Sequence, residues 1–188
     1  EYWYSAAITE DGSLYTWGKN SSGQIGNGTN EDQLVPIKIM DNVERVSLGS
    51  SHAGAITNNG ELYMWGDNFY GQIGNGVKEV DQLTPIKVLD NISNLSLGVV
   101  HSGAIAKDGA LYMWGCNWEG QIGSGSTASE QLVPVKVLED VESVALKVSH
   151  TAAIKKDGNL YMWGNNENGE IGNGAEDNQY TPVKILKI

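Results

Sequence analysis

The sequence predicts an all-β ring of repeated four-stranded antiparallel blades, a β-propeller, on three observations. A unit of about 49 residues recurs, each unit reads as short strands separated by turns, and no stretch carries a helical hydrophobic period. Trp17, Trp65, Trp114 and Trp163 fall 48, 49 and 49 residues apart. The four prolines, Pro36, Pro85, Pro134 and Pro182, keep spacings of 49, 49 and 48, and the three histidines, His52, His101 and His150, are 49 apart. Residues 43–91 and 92–140 are identical at 25 of 49 positions, so the period is a tandem repeat and not an accident of composition. A β-solenoid also repeats, but its units are usually shorter and its strands pair between units. The expected repeats are 1–42, without a counterpart of the strand at 43–48, then 43–91, 92–140 and 141–188.

Within a unit the strands follow in order. The first covers 43–48, 92–97 and 141–146 (VERVSL, ISNLSL, VESVAL). The second, at 5–9, 53–57, 102–106 and 151–155, is built of small apolar residues that let neighbouring sheets approach closely. Asp11-Gly12, Asn59-Gly60, Asp108-Gly109 and Asp157-Gly158 then read as two-residue hairpin turns. The third strand, at 14–18, 62–66, 111–115 and 160–164, is apolar at both alternations, as a strand buried on both faces must be. The fourth, at 35–40, 84–89, 133–138 and 181–186, begins with its proline, whose missing N–H suits an outer edge.

Composition narrows the function. With 40% apolar residues the 188-residue chain can build a core, and no run approaches the ~18 apolar residues of a membrane span. A single cysteine, Cys116, excludes an internal disulfide framework and a cysteine-rich zinc site. The net charge of −11, with Arg45 as the one arginine among 12 basic residues, opposes a sequence-independent grip on nucleic acid. Neither nucleic acid nor membrane is an expected partner.

The segment joining the third and fourth strands is the most diagnostic. It reads GQIGNG at 23–28 and 71–76, GQIGSG at 120–125 and GEIGNG at 169–174. Histidine and Asp/Asn-Gly-x-Leu-Tyr-x-Trp-Gly precede it, and Val-Pro or Thr-Pro follows. Over the whole chain this pattern resembles the regulator of chromosome condensation repeat. The resemblance implies a β-propeller, typically seven-bladed, and a protein-binding platform. One branch of that family acts on chromatin as an exchange factor for a Ras-like GTPase, and a distant bacterial relative inhibits β-lactamases. The chain departs from the pattern at Lys147, where Gly49 and Gly98 stand in other copies, at Glu170, which replaces Gln24, Gln72 and Gln121, and at Tyr4, which replaces histidine. No segment between blades is long enough for the protruding wedge that nucleotide exchange uses.

The histidines are spread round the ring by their equivalence, whereas zinc needs ligands at ~2 Å from one point. A structural role is therefore expected for His52, His101 and His150, as for Trp17, Trp65, Trp114 and Trp163. The GQIGNG loops lack the Lys-Ser/Thr pair and following helix of a phosphate cradle. Cys116 has no recurring acidic or histidine neighbour, and the carboxylates at 29–33, 78–81, 129–130 and 176–177 lack calcium-loop spacing. No catalytic residue, metal or cofactor is expected, so the chain reads as a non-enzyme.

Recurring residues build the blade, while varying residues at equivalent turns are free to serve a partner. Ser21-Ser22, Phe69-Tyr70, Trp118-Glu119 and Glu167-Asn168 vary after the Trp-Gly strand, and Tyr2-Trp3, Ser50-Ser51, Val99-Val100 and Val148-Ser149 vary before the small-residue strand. Phe69, Tyr70, Trp118 and Glu119 are the expected protein-binding residues, with Val99 and Val100 as a second patch. The competing structural reading is that they cap the space between blades. The expectation is a rigid scaffold presenting loops to a basic protein surface, with a specific enzyme inhibitor or a nucleotide-exchange factor as alternatives. Four blades against seven imply either part of a longer propeller or two chains pairing head-to-tail into a ring of eight.

Overall fold

The computed structural model describes residues 3–188, in which every regular element is a β-strand. Glu1 and Tyr2, which open the first repeat, lie outside the described residues. Strands β1 (Tyr4–Ile8), β2 (Leu14–Gly18) and β3 (Gln33–Met40) form a three-stranded sheet. The next sheet contains β4 (Val43–Leu48), β5 (His52–Thr57), β6 (Leu62–Gly66) and β7 (Gln82–Leu89). It is followed by β8 (Ile92–Leu97), β9 (His101–Ala106), β10 (Leu111–Cys116) and β11 (Glu130–Leu138). The last contains β12 (Val141–Leu146), β13 (His150–Lys155), β14 (Asn159–Gly164) and β15 (Gln179–Lys187). Each is an antiparallel meander, as the repeat predicts. β4, β8 and β12 pack on one another from blade to blade, and β3, β7, β11 and β15 form outer edges.

Two local details differ from the sequence reading. The hairpins are not two-residue turns. Gly12 N–H bonds Thr9 O at 2.9 Å, Thr9 N–H bonds Ser13 O at 3.0 Å, and the loop between is three residues long. Only its glycine is left-handed: Gly12, Gly60, Gly109 and Gly158 have φ of 81°, 84°, 94° and 80°, while the preceding Asp or Asn does not. That is a turn closed by a glycine bulge, which the Asp/Asn-Gly pair also satisfies. The outer strands also start earlier than their prolines. β3 begins at Gln33, and its pairing jumps from Thr16↔Ile37 to Gly18↔Gln33, so Pro36 sits in a bulge on an edge strand, where no ladder N–H is required of it.

Blades are joined by two-residue turns, and their second residues, Asn42, Asn91 and Asp140, hold φ of 63°, 61° and 57°. Asn and Asp tolerate this region better than other side-chain-bearing residues. The carbonyls of Asn42, Asn91 and Asp140 accept the N–H of Asn58, Lys107 and Lys156, tying each turn to the next blade's hairpin.

The core lies between blades. Ile56, Leu62, Met64 and Ile73 of one blade pack on Ile92, Leu97, Ala104 and Trp114 of the next, and the same arrangement recurs at the following joint. Each such aliphatic side chain contributes about 1.5–3 kcal/mol of burial. Small residues in the second strand permit the approach: a Cβ on Gly54 would lie 2.6 Å from Met64 Sδ and 2.7 Å from Leu95 Cδ2.

Candidate protein-interaction rim

One rim of the blades is formed by the turn before the second strand and the long loop after the third. Asp67 N–H bonds Ser51 O and Cys116 N–H bonds Val100 O, which fixes turn and loop side by side. A buried asparagine holds each loop from inside. Asn20 Oδ1 accepts Ile25 N–H at 2.9 Å, while Asn20 Nδ2 donates to Thr29 O and Glu31 O at 2.8 and 3.0 Å. Asn68, Asn117 and Asn166 repeat the arrangement against Ile73, Ile122 and Ile171. Sequence reasoning passed over these four, although their recurrence two residues beyond each Trp-Gly was the signal.

The GQIG segments are where one blade receives the next. Trp65, Trp114 and Trp163 donate their indole N–H to the carbonyls of Gln24, Gln72 and Gln121 at 3.0, 2.9 and 2.9 Å. The rings lie on Gly26, Gly74 and Gly123, where an added Cβ would approach within 2.8, 2.8 and 2.5 Å. The Gln side chains accept the N–H two residues before them, and Glu170 makes the same bond with Asn168 N–H at 2.9 Å, which explains why the exchange is tolerated.

His52 Nε2 lies 3.0 Å from Ser102 Oγ, and His101 Nε2 lies 3.2 Å from Thr151 Oγ1. Each hydroxyl spends its one proton on a carbonyl, Gln72 O or Gln121 O, so each histidine must be the donor and Nδ1 is left bare. Burial holds both imidazoles neutral, pushed down to about 3. Tyr4, in the histidine position of the first blade, donates its one hydroxyl proton to His52 O at 2.6 Å, with Gly49 O 3.1 Å away. Lys147 is exposed and keeps the backbone bond of its glycine counterparts, donating to His150 O at 3.1 Å.

On this rim Phe69, Tyr70 and Trp118 stand in a row. Phe69 meets Tyr70 with centroids 4.9 Å apart at 80°, and Tyr70 meets Trp118 at 5.0 Å and 79°, an edge-to-face chain across two blades. Phe69 and Trp118 are each 55% exposed. Asp67 Oδ1 accepts Phe69 N–H at 2.8 Å and Gln72 Oε1 accepts Tyr70 N–H at 2.9 Å, so the backbone under the row is held. Asp67, Glu79 and Asp81 line a groove with Phe69, Tyr70 and Ser22. Burial pushes the Asp67 carboxyl up, and nearby Asp81 adds to this against the Phe69 N–H.

Glu119 is turned toward the last blade, where Asn178 Nδ2 donates to it, so it flanks the row without joining it. Val99 and Val100 are half-buried in the turn of the same rim. Trp3 is 67% exposed, with Lys19 Nζ 5.0 Å from its ring centroid, and it borders a groove with Ser21, Gln24, Ser50 and Ser51. The sequence showed Trp3 only as a varying turn residue, although it stands outside the recurring tryptophan register. The loops 19–32, 67–81, 117–129 and 165–178 hold ten carboxylates against two lysines, a net −8 of the chain's −11. Cys116 is a buried free thiol, and burial pushes it up.

Antiparallel meanders locked together by Trp-on-Gly contacts define a β-propeller. The chain belongs to the RCC1-like domain family, whose model matches residues 2–188. It is similar in fold to human WBSCR16, with 24% identity and a TM-score of 0.85 over 98% of this chain and 51% of that one. It is also similar to Prp20p, the RCC1 of Saccharomyces cerevisiae, at 25% identity and a TM-score of 0.87 over 98% of this chain and 49% of that one. Shorter matches join it to the human E3 ubiquitin-protein ligase HERC2, 50% identical over 36 residues, 19% of this chain and 1% of that protein. The ultraviolet-B receptor UVR8 of Arabidopsis thaliana is 42% identical over 53 residues, 26% of this chain and 12% of the receptor. The chain thus spans about half the length of these solved relatives and a small part of these curated ones.

Proposed function

We propose that this chain is a non-enzymatic binding scaffold that docks a basic protein surface on its aromatic, acidic rim. The observation that carries the reading is the row Phe69–Tyr70–Trp118, exposed at Phe69 and Trp118, with the Phe69 and Tyr70 backbone held by Asp67 and Gln72 and with Asp67, Glu79 and Asp81 beside it. Rigid aromatics lose little entropy on binding, and the carboxylates in the adjoining groove steer a cationic partner onto them. The work on Prp20p describes its binding to Gsp1p and histones, and the yeast RCC1 is also known bound to Kap60. Protein binding, including binding of basic proteins, is therefore found among the relatives.

The test uses purified core histones as a basic probe and compares the intact chain with a Phe69→Ala, Tyr70→Ala, Trp118→Ala variant. Titration calorimetry is expected to show at least a tenfold loss of affinity, roughly 1.4 kcal/mol or more, with the melting temperature nearly unchanged. Collapse of thermal stability instead would make the three residues packing and sink the proposal. Undiminished binding by the folded variant would do the same.

A further inference from the structure

The groove beside the aromatic row belongs to the blade β4–β7, which packs against a blade of this chain on each side. Its walls are Ser22, Asp67, Phe69, Tyr70, Glu79 and Asp81. The repeated frame does not require this combination. The place of Asp67 is held by Lys19, Cys116 and Asn165 in the other copies, so the frame asks for no carboxylate there. The place of Asp81 calls only for an acceptor to the N–H of the loop-holding asparagine. Asp32 and Asn178 supply it at 2.8 and 2.9 Å, and in the third blade the Ser129 carbonyl does so at 2.8 Å. The second blade alone sets a carboxylate at both places.

The loop is also one residue longer than its counterparts. Asp81 follows Asn68 by 13 positions, whereas Asp32, Ser129 and Asn178 follow their asparagines by 12. Glu79 in this loop has a left-handed φ of 63°, with its N–H on Asn68 O at 2.9 Å. A residue with a bulky side chain keeps such a conformation only where its surroundings impose it. Here it sets a third carboxylate on the groove wall.

Neither Asp67 nor Asp81 forms an ion pair among the described residues, and the loop's own Lys78 reaches Glu130 at 3.4 Å and Glu79 at 3.8 Å. Burial first, and then repulsion by Asp81, push the Asp67 carboxyl up. A cation set between the two carboxylates offsets both effects.

The oxygens still open decide which cation fits. Asp67 Oδ1 accepts Phe69 N–H at 2.8 Å and Asp81 Oδ1 accepts Asn68 N–H at 3.3 Å, which leaves one oxygen of each without a backbone partner. A guanidinium binds best as a fork on both oxygens of a single carboxylate. An ammonium carries three donors about one point and collects single oxygens from different residues. The Phe69 and Tyr70 rings offer its aliphatic stem an apolar wall.

We propose that this groove takes one lysine side chain of the partner and prefers it to arginine, which presupposes that the rim docks a basic protein. The stem lies along Phe69 and Tyr70, and Asp67 and Asp81 share the ammonium with Glu79 beside them.

Calorimetric titration with a lysine decamer and an arginine decamer tests this, at low ionic strength where surface charges are least screened. The intact chain is expected to bind the lysine peptide about fivefold more tightly. Asp67→Asn with Asp81→Asn should fold, because Asn165 and Asn178 already hold these places in the last blade, and its melting temperature checks that. This variant should bind the lysine peptide roughly tenfold more weakly and lose the preference. Glu176→Gln with Asp177→Asn removes the same number of charges from another loop of the rim, and should weaken both peptides equally and keep the preference. Equal binding of the two decamers by the intact chain, tighter binding of arginine, or a preference that survives Asp67→Asn with Asp81→Asn overturns the lysine pocket. If core histones still bind in those cases, the docking itself stands. Failure of core histones and of both decamers to bind overturns the two together.

Discussion

Lowering the pH from 7.5 to 5.0 tests the buried histidines without altering a residue. His52 and His101 have an ordinary value of 6.5 when unfolded and are held at about 3 by burial in the folded chain. The unfolded state therefore binds more protons between these values, and stability is intact above about pH 6.5 and falls as the pH drops toward 3. At pH 5.0 one such histidine costs about 2 kcal/mol, and the pair about 4 kcal/mol. For a chain of this size that lowers the melting temperature by roughly 8–16 °C. The carboxyls held down by hydrogen bonds and ion pairs, Asp11, Asp41, Glu139, Asp157 and Glu170, lose their stabilisation only at lower pH. Asp67, pushed up, acts in the opposite sense and reduces the slope. Scanning fluorimetry between pH 7.5 and 5.0 reads the effect, and His52→Gln and His101→Gln should each remove about half of the slope. A melting temperature flat to pH 5.0 would mean that protons reach the imidazoles in the folded state, and the burial argument would fail.

Two further perturbations probe the frame. Gly123→Ala places a methyl 2.5 Å from the Trp163 indole at a φ of 78°, so it bears a conformational cost of about 1–2 kcal/mol and an overpacking cost of about 1–3 kcal/mol. Urea denaturation should show both, and a loss below about 1 kcal/mol would mean that Trp163 is not seated as described. Asn68→Ala strips the buried acceptor of Ile73 N–H and the donor to Val77 O, and should cost about 2–4 kcal/mol while speeding hydrogen exchange in 69–77. Unchanged exchange there would show that the loop is held by other contacts.

The blade was legible because its constraints are local and repeated. Short apolar strands, Asp/Asn-Gly turns and edge prolines each leave a mark within a few positions, and the repeat printed every mark several times. The hairpin geometry was misread because Asp11-Gly12 serves two turn types, and only the Thr9–Ser13 pairing separates them. Phe69, Tyr70 and Trp118 could be named as exceptions to the repeat, but their edge-to-face contact depends on how two blades lean together, which no single strand encodes. Asn68 stayed hidden for the opposite reason: a residue present in every copy reads as frame, although it positions the loop that carries Phe69 and Tyr70. Trp3 escaped because its exposure is a tertiary fact.

The fully buried strands β5 and β9 have counterparts in β1 and β13 that are only partly covered. Because blades touch mainly their immediate neighbours, opening of the 188-residue polypeptide starts at the blades that are covered least. In the isolated 188-residue polypeptide, amide protection should accordingly rise from Ala6 to Gly54 and Gly103 and fall again at Ala152, one position read in four settings. Fixing the two ends to each other would flatten that profile, so a graded exchange pattern and a level one distinguish a filament of blades from a closed circle.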